Sequence, residues 1–397
     1  MITLKQKSDC CGCGACQSIC THKCIQLKQD NEGFLYPDTN LPTCTNCNQC
    51  NNVCPIINIT SPNTPQKSYV AINNNAIIRD HSSSGGIFYT LASYIISQNG
   101  VVFGAKFTKD FTLIHDECTT IESLVCLVGA KYVQSYLGES FIKVEQYLKV
   151  GKLVLFSGVG CQIAALKNFL KKEYSNLLTI DVLCHGVGSP SVWKTFINNW
   201  LYYEKDSLKS INFRDKSIGW EEYRLRLEYL HQNVYLNSYD NTYITGYFAN
   251  LFLRPSCYHC VFKPYKSNSD ITLADAWGIN KLLDRKFCID NKGTSLIIVN
   301  TKKGDQAIQS ISANISYEKI NLSAMIHYNP SLKYPSKENK RRNEFFYRFN
   351  NGEDFEFIIR DMTKLSILQR LEQRMTPFLK RMGIKGFTKK IMEFIKP

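Results

Sequence analysis

The chain has 397 residues, 44% of them hydrophobic and 12% aromatic, which excludes a disordered or low-complexity protein and suggests about two to three domains. Its 48 Lys and Arg against 34 Asp and Glu leave a net charge of +14. The 17 cysteines point to metal binding rather than to a disulfide scaffold, which is normally short and secreted.

Met1–Lys7 carries no apolar signal core, and no run of about 18 apolar residues occurs, so a soluble, cytoplasmic protein is expected. Two cysteine runs follow: Cys10-x2-Cys13-x2-Cys16-x3-Cys20 and Cys44-x2-Cys47-x2-Cys50-x3-Cys54-Pro55. Both have the bacterial two-cluster ferredoxin spacing, in which each run gives three thiolates to one cluster and its fourth to the other. Cys10, Cys13, Cys16 and Cys54 are therefore expected to hold one [4Fe–4S] cluster, and Cys20, Cys44, Cys47 and Cys50 a second. Three thiolates two residues apart wrap one cubane face, and Gly12 and Gly14 let the loop bend there. Structural zinc also takes four thiolates, but usually from two separated Cys-x2-Cys pairs. Thr21 stands where a proline usually follows the fourth cysteine. Cys11 and Cys24 fall outside the pattern and are expected not to be ligands. Residues 1–60 read as the ferredoxin-type domain, and Ile56–Lys67 as a linker.

From Ser68 onward, strand and helix signals mix. Gly100–Phe107, Lys152–Phe156, Leu177–Leu183, Ile271–Ala274 and Ser295–Val299 read as buried strands. Ile87–Ile96, Gly138–Val150, Cys161–Lys172, Ser191–Trp200 and Tyr243–Leu253 have helical periodicity, and Arg224–Tyr235 alternates as antiparallel strands do. The class is mixed α+β or α/β, with the sheet topology left open. No Gly-x-Gly-x-x-Gly fingerprint or Walker loop follows a strand, which argues against a Rossmann domain. Cys161 and Cys184 stand at strand ends, and Cys257 and Cys260 form a Cys-x2-Cys pair; together they make either a third four-thiolate site or ordinary buried thiols. Cys118, Cys126 and Cys288 have no partners at motif spacing and read as buried thiols.

Residues 364–397 carry nine Lys and Arg against Glu372 and Glu393, half of the net charge. Leu368, Leu371, Met375, Phe378, Leu379 and Met382 give this tail helical apolar spacing. It reads as a helix packed on its own domain with a solvated basic face, or as contact with a membrane surface or an acidic partner. No nucleic-acid motif accompanies the charge.

Several motifs carry a family resemblance. They are Ser83-Ser84-Gly85-Gly86, Gly129–Ser135 (GAKYVQS), Phe156–Lys167 (FSGVGCQIAALK), Cys184-His185-Gly186-Val187 with Ser189-Pro190, Asn212–Lys216 (NFRDK), and Cys257–Gly278. Over about residues 1–300 the chain resembles the coenzyme F420 hydrogenase/dehydrogenase beta-subunit family joined to a two-cluster ferredoxin module. That implies an iron–sulfur flavoprotein with residues 68–330 as an FAD and iron–sulfur domain, not of the Rossmann type, and residues 331–397 as a basic helical C-terminal region.

The resemblance also implies a third cluster on Cys161, Cys184, Cys257 and Cys260. Val159-Gly160 replaces the family's Thr-Pro before Cys161 and removes a hydroxyl there. Ser83, Ser84, Gly85 and Gly86 are expected to cradle the FAD pyrophosphate at a helix N-terminus, alongside simple capping. Lys131, Gln134 and Ser135 are expected at the flavin ring or its phosphates, where a cation stabilises the reduced anion. Arg214, Asp215 and Lys216 read as a salt-bridged turn, His185 as a structural histidine, and Trp277 as a core side chain or a flavin wall.

The expected activity is that of an oxidoreductase passing electrons between ferredoxin-type clusters and FAD, and on to or from an organic two-electron acceptor. The catalytic residues are not identified, and coenzyme F420 as acceptor rests on the family name alone. A redox partner protein or ferredoxin is the expected partner. One rival is an electron-relay subunit without its own flavin, docking to a partner enzyme; another is a zinc-stabilised binding module.

Overall fold

The computed structural model describes residues 2–59, 64–237, 240–264, 266–283, 287 and 290–364. The basic tail from residue 365 onward lies outside them, as does Cys288.

The N-terminal cysteine runs flank a hairpin, β1 (Ile25–Gln29) with β2 (Leu35–Thr39). The body continues with β3 (Lys67–Asn73), β4 (Val101–Phe107), β5 (Leu113–Cys118), β6 (Val154–Val159) and β7 (Leu177–Val182). Next come β8 (Tyr202–Tyr203), β9 (Asp206–Asp215), β10 (Arg224–Tyr229) and β11 (Asn233–Leu236), then β12 (Ile271–Asp275), β13 (Ser295–Val299) and β14 (Ile315–Lys319). Eight of these form one sheet in the order β14-β3-β13-β12-β7-β6-β4-β5, and β11-β10-β9-β8 form a second. The first sheet is mixed: β12, β7, β6 and β4 pair in parallel, while β13, β14 and β5 run antiparallel to their neighbours.

The expected mixed class therefore holds. β6, β7 and β13 are apolar nearly throughout because both faces of the large sheet are covered. On one face Val102, Leu155, Leu178 and Ile297 meet Leu91 and Ile95 of the helix Ile87–Ser97. On the other, Phe103, Val154 and Phe156 meet Ile163 and Leu166 of the helix Gly160–Leu170. Cys11, Cys13, Ala15 and Val53 join this second core, so the N-terminal module packs against the body's own sheet and helices. The helix expected over Tyr243–Leu253 is shorter, Thr242–Phe248, because Asn250 takes φ 59° just after it. Cys118 is buried as expected, but Cys126 is exposed: on the short helix Val125–Leu127 the buried side chain is Leu127, and Cys126 faces solvent.

The hairpin is fastened to the body as well. Arg342 donates to both Glu32 carboxylate oxygens, at 2.7 and 2.5 Å, and to the Leu253 carbonyl. Gln29 Nε2 donates to Ser191 Oγ at 2.7 Å, and Ser189 Oγ donates to the Glu32 carbonyl. Removing one partner of a pair this buried leaves the other charge uncompensated. Arg342→Met is expected to cost about 3 kcal/mol and to speed amide exchange in β1 and β2, read by denaturation and hydrogen-exchange mass spectrometry.

Candidate metal centres

The duplicated runs share one backbone path. Gly12 and Gly14 have φ of 69° and 70°, and Asn46 and Asn48, at the matching positions of the second run, have 53° and 60°. Left-handed residues at matching positions turn both loops the same way; glycine and asparagine adopt that region most readily. Each loop then enters a short helix, Ala15–Ser18 or Gln49–Val53.

Cys16 lies within electrostatic reach of Cys10 and Cys54, and Cys13 of Cys16. Cys50, which has Cys47 for a neighbour, is also within reach of Cys16, so the two groups adjoin. Cys24 Sγ is 3.3 Å from Cys20 Sγ and also has Cys44 within reach. The first group is largely buried, while Cys47 of the second is exposed.

In the body, Cys161 follows β6 and Cys184 follows β7 at the same carboxyl edge of the sheet. Cys257 lies in the short helix Pro255–His259 and Cys260 caps it. These four thiols and Cys11 line one cavity of about 550 Å³. The Cys11 thiol is within hydrogen-bonding reach of both Cys13 and Cys161, so it stands where the N-terminal and body groups meet. Its place next to Cys10 in the sequence gives no sign of that contact. Val187 N–H donates to Cys257 Sγ at 3.4 Å. A Cβ on Gly186 would lie 2.8 Å from Leu253 and 3.3 Å from the Cys257 Cβ, so the absence of a side chain lets the two segments approach.

Among the described residues, no group of His, Cys, Asp or Glu is arranged as it stands to hold a metal ion. Burial pushes the Cys54 and Cys184 thiols up to about 11. Thiols so placed stay protonated at neutral pH unless a metal takes the proton's place, which makes metal loading and proton release one event.

The residues expected at the flavin divide. Ser83 Oγ accepts from Ala130 N–H, Ser84 Oγ donates to the Thr294 carbonyl, and Gly85 N–H donates to Ser295 Oγ. Gly86, at φ 88°, precedes the helix Ile87–Ser97, which has no side-chain cap. The Lys131 ammonium donates to the carbonyls of Leu127, Val128 and Gly129, and burial lowers it to about 8. Gln134 lies at the thiol cavity, donating to the Cys11 carbonyl and accepting from Arg254. Ser135 is buried, bonded to His115 and accepting from Gln162.

A second polar cluster sits at the end of β12. Arg214 pairs with Asp275, which also accepts from Trp220 Nε1. The guanidinium lies 4.5 Å from the Tyr223 ring and 5.1 Å from that of Trp277, and Trp277 stacks on Trp220 at 4.3 Å. Arg214 is 4% exposed, yet its Nε and Nη2 have no hydrogen-bond partner among the described residues. Lys216 donates to the carbonyls of Arg79, Ser84 and Lys292, and burial, then the Arg214 and Arg79 charges, lower it to about 7. Asp215 is buried and accepts from Ser217 N–H, and His185 is bonded to Asn250 Oδ1 at 2.7 Å.

The turn that carries Cys161 is held by a buried network. Gln162 Oε1 accepts from Val159 N–H, and Ser135 joins Gln162 to His115, whose Nε2 meets the Ser157 carbonyl at 3.0 Å. Burial lowers the His115 pKa from 6.5 to about 4. Between those values the unfolded chain binds the proton and the folded chain does not. Stability is therefore expected to fall by about 3 kcal/mol in total as pH drops from 6.5 to 4. In His115→Gln, denaturant midpoints should lose less stability between pH 7 and pH 5 than those of the native sequence.

No curated protein matches the chain. Among solved structures, a chain of the F420-reducing [NiFe] hydrogenase complex from Methanosarcina barkeri matches with 15% identity and a TM-score of 0.47, covering 73% of this chain and 94% of that one. No helix of the described residues is long and apolar enough to cross a membrane. Residues 151–324 match the family model for the C terminus of the coenzyme F420 hydrogenase/dehydrogenase beta subunit. These residues include Cys161, Cys184, Cys257, Cys260 and Arg214, and over them the chain is similar to that family.

Proposed function

We propose that this protein is an iron–sulfur flavoprotein oxidoreductase. One cluster would be held by Cys20, Cys44, Cys47 and Cys50, a second by Cys10, Cys13, Cys16 and Cys54, and a third by Cys161, Cys184, Cys257 and Cys260. The observation that carries this reading is the ordered juxtaposition of the three thiol groups. Cys50 adjoins Cys16, and Cys11 spans from Cys13 to Cys161. The series runs from the exposed Cys47 to thiols at the carboxyl edge of the sheet, where open α/β sheets bind ligands. A redox partner protein or ferredoxin would exchange electrons at the Cys47 end. Duplicated triplets with left-handed residues at matching positions suit cubane clusters better than zinc.

Flavin is assigned to the same carboxyl edge, between the end of β3 and the end of β12. Bound there, it would supply the exchange between one-electron carriers and a two-electron organic acceptor. The uncapped helix start at Gly86 suits a phosphate. The two partnerless Arg214 donors suit an acceptor-rich ring, because a buried donor left unmade is costly. Asp275, Tyr223 and Trp277 fix the guanidinium in place, and an anion bound beside Lys216 would favour its protonated form. The internal bonding of Lys131 and Ser135 favours a second reading, a relay subunit with clusters and no flavin.

Two variants of anaerobically prepared protein test the scheme. Cys257→Ser is expected to lose about four irons per chain and Cys47→Ser a similar number. Cys257→Ser should keep its flavin, now reduced far more slowly by a ferredoxin-type donor, while Cys47→Ser should slow entry of electrons to both remaining clusters. Retention of all iron in Cys257→Ser would contradict the third site. Full iron with no flavin in the unaltered protein would establish the relay reading.

A further inference from the structure

Arg254 is fully buried, and the partners of its guanidinium are all neutral. Nε donates to the Cys10 carbonyl at 2.7 Å, Nη1 to Gln134 Oε1 at 2.9 Å and Nη2 to the Leu35 carbonyl at 2.9 Å. The rings of Tyr36 and Phe34 lie 4.3 and 5.3 Å away. Among the described residues no carboxylate forms an ion pair with it. By contrast, the buried Arg342 and Arg214 each have one.

A buried cation without a counter-charge is costly, and carbonyl dipoles and ring faces offset that cost in part. Arg254 has thiol groups on two sides. Through Cys10 it touches the backbone of the first N-terminal group, and its own carbonyl accepts from Cys257 N–H at 2.9 Å. Gln134 links its guanidinium to the Cys11 carbonyl, where the two groups meet. None of its contacts reaches Cys20, Cys44, Cys47 or Cys50.

We propose that Arg254 is the shared counter-charge of two clusters, the one on Cys10, Cys13, Cys16 and Cys54 and the one on Cys161, Cys184, Cys257 and Cys260. It raises the reduction potential of both and leaves the third unaffected. This rests on the cluster assignments above. A cluster held by four thiolates is an anion, and reduction adds one more negative charge. A fixed, fully buried cation beside them therefore favours the reduced state, since cluster potentials respond to net charge and solvent exposure. Around the exposed Cys47, solvent and salt screen the field. Levelling the potentials of adjacent clusters keeps the inner step of the relay from running uphill.

The test is an EPR-monitored redox titration of the full-length, cluster-loaded protein with Arg254→Gln, Arg254→Lys and Gln134→Glu. In Arg254→Gln two clusters are expected to titrate at lower potential while the third keeps its value. Arg254→Lys keeps the charge and should lie closer to the unaltered protein. Gln134→Glu sets a carboxylate against the guanidinium, so it should lower the same two potentials without removing Arg254, and it decides the matter if Arg254→Gln does not fold. Three potentials that shift together, or none that shifts, would overturn the proposal. A native-sequence protein lacking either flanking cluster by iron count and EPR would overturn the cluster assignment, and this proposal with it.

Discussion

A buried guanidinium is costly unless acceptors surround it, and Arg254 collects them from segments distant in the sequence. The carbonyls of Cys10 and Leu35 come from the N-terminal module, and Gln134 comes from the loop before the helix Ser140–Lys149. That requirement fixes how the cysteine loop lies on the body. It also explains Gly12: a Cβ there would stand 2.5 Å from Gln134 Nε2 and 2.7 Å from Arg254 Nη1, so only glycine allows both the left-handed turn and the close approach.

The same docking sets the order of the candidate redox groups. With the loop held down, Cys11 and Cys13 enter the core formed by β4, β6 and the helix Gly160–Leu170, and Cys11 comes against Cys161. The Arg342–Glu32 pair and the Ser189 and Ser191 contacts also hold the hairpin to the body. Arg254 and Cys11 are therefore buried at the junction, while Cys47 stays in contact with solvent. An inner pair of sites and an outer, more exposed one is an arrangement suited to taking electrons from a partner and delivering them inside.

Much of this was legible in the sequence where local chemistry decides it. The duplicated spacing flagged the eight N-terminal cysteines, and strand ends flagged Cys161 and Cys184. Apolar runs located β4, β6, β7, β12 and β13 because both faces of these strands are covered. Edge strands escaped: β5 and β14 are only half-buried and carry polar residues, so they give no continuous apolar run. Arg254 escaped too, since nothing about an arginine before a proline reports three neutral partners. The sites of Lys131 and Ser135 were equally unreadable, because local backbone carbonyls hold the one and a histidine distant in sequence the other, and neither leaves a motif.

Thiols that hold iron–sulfur clusters in series with a flavin leave a compositional signature. The direct measurement is iron, acid-labile sulfide, zinc and released flavin per chain on protein isolated without oxygen. About twelve irons, a matching quantity of sulfide and about one flavin are predicted. Zinc in place of iron, with no sulfide, would contradict the account.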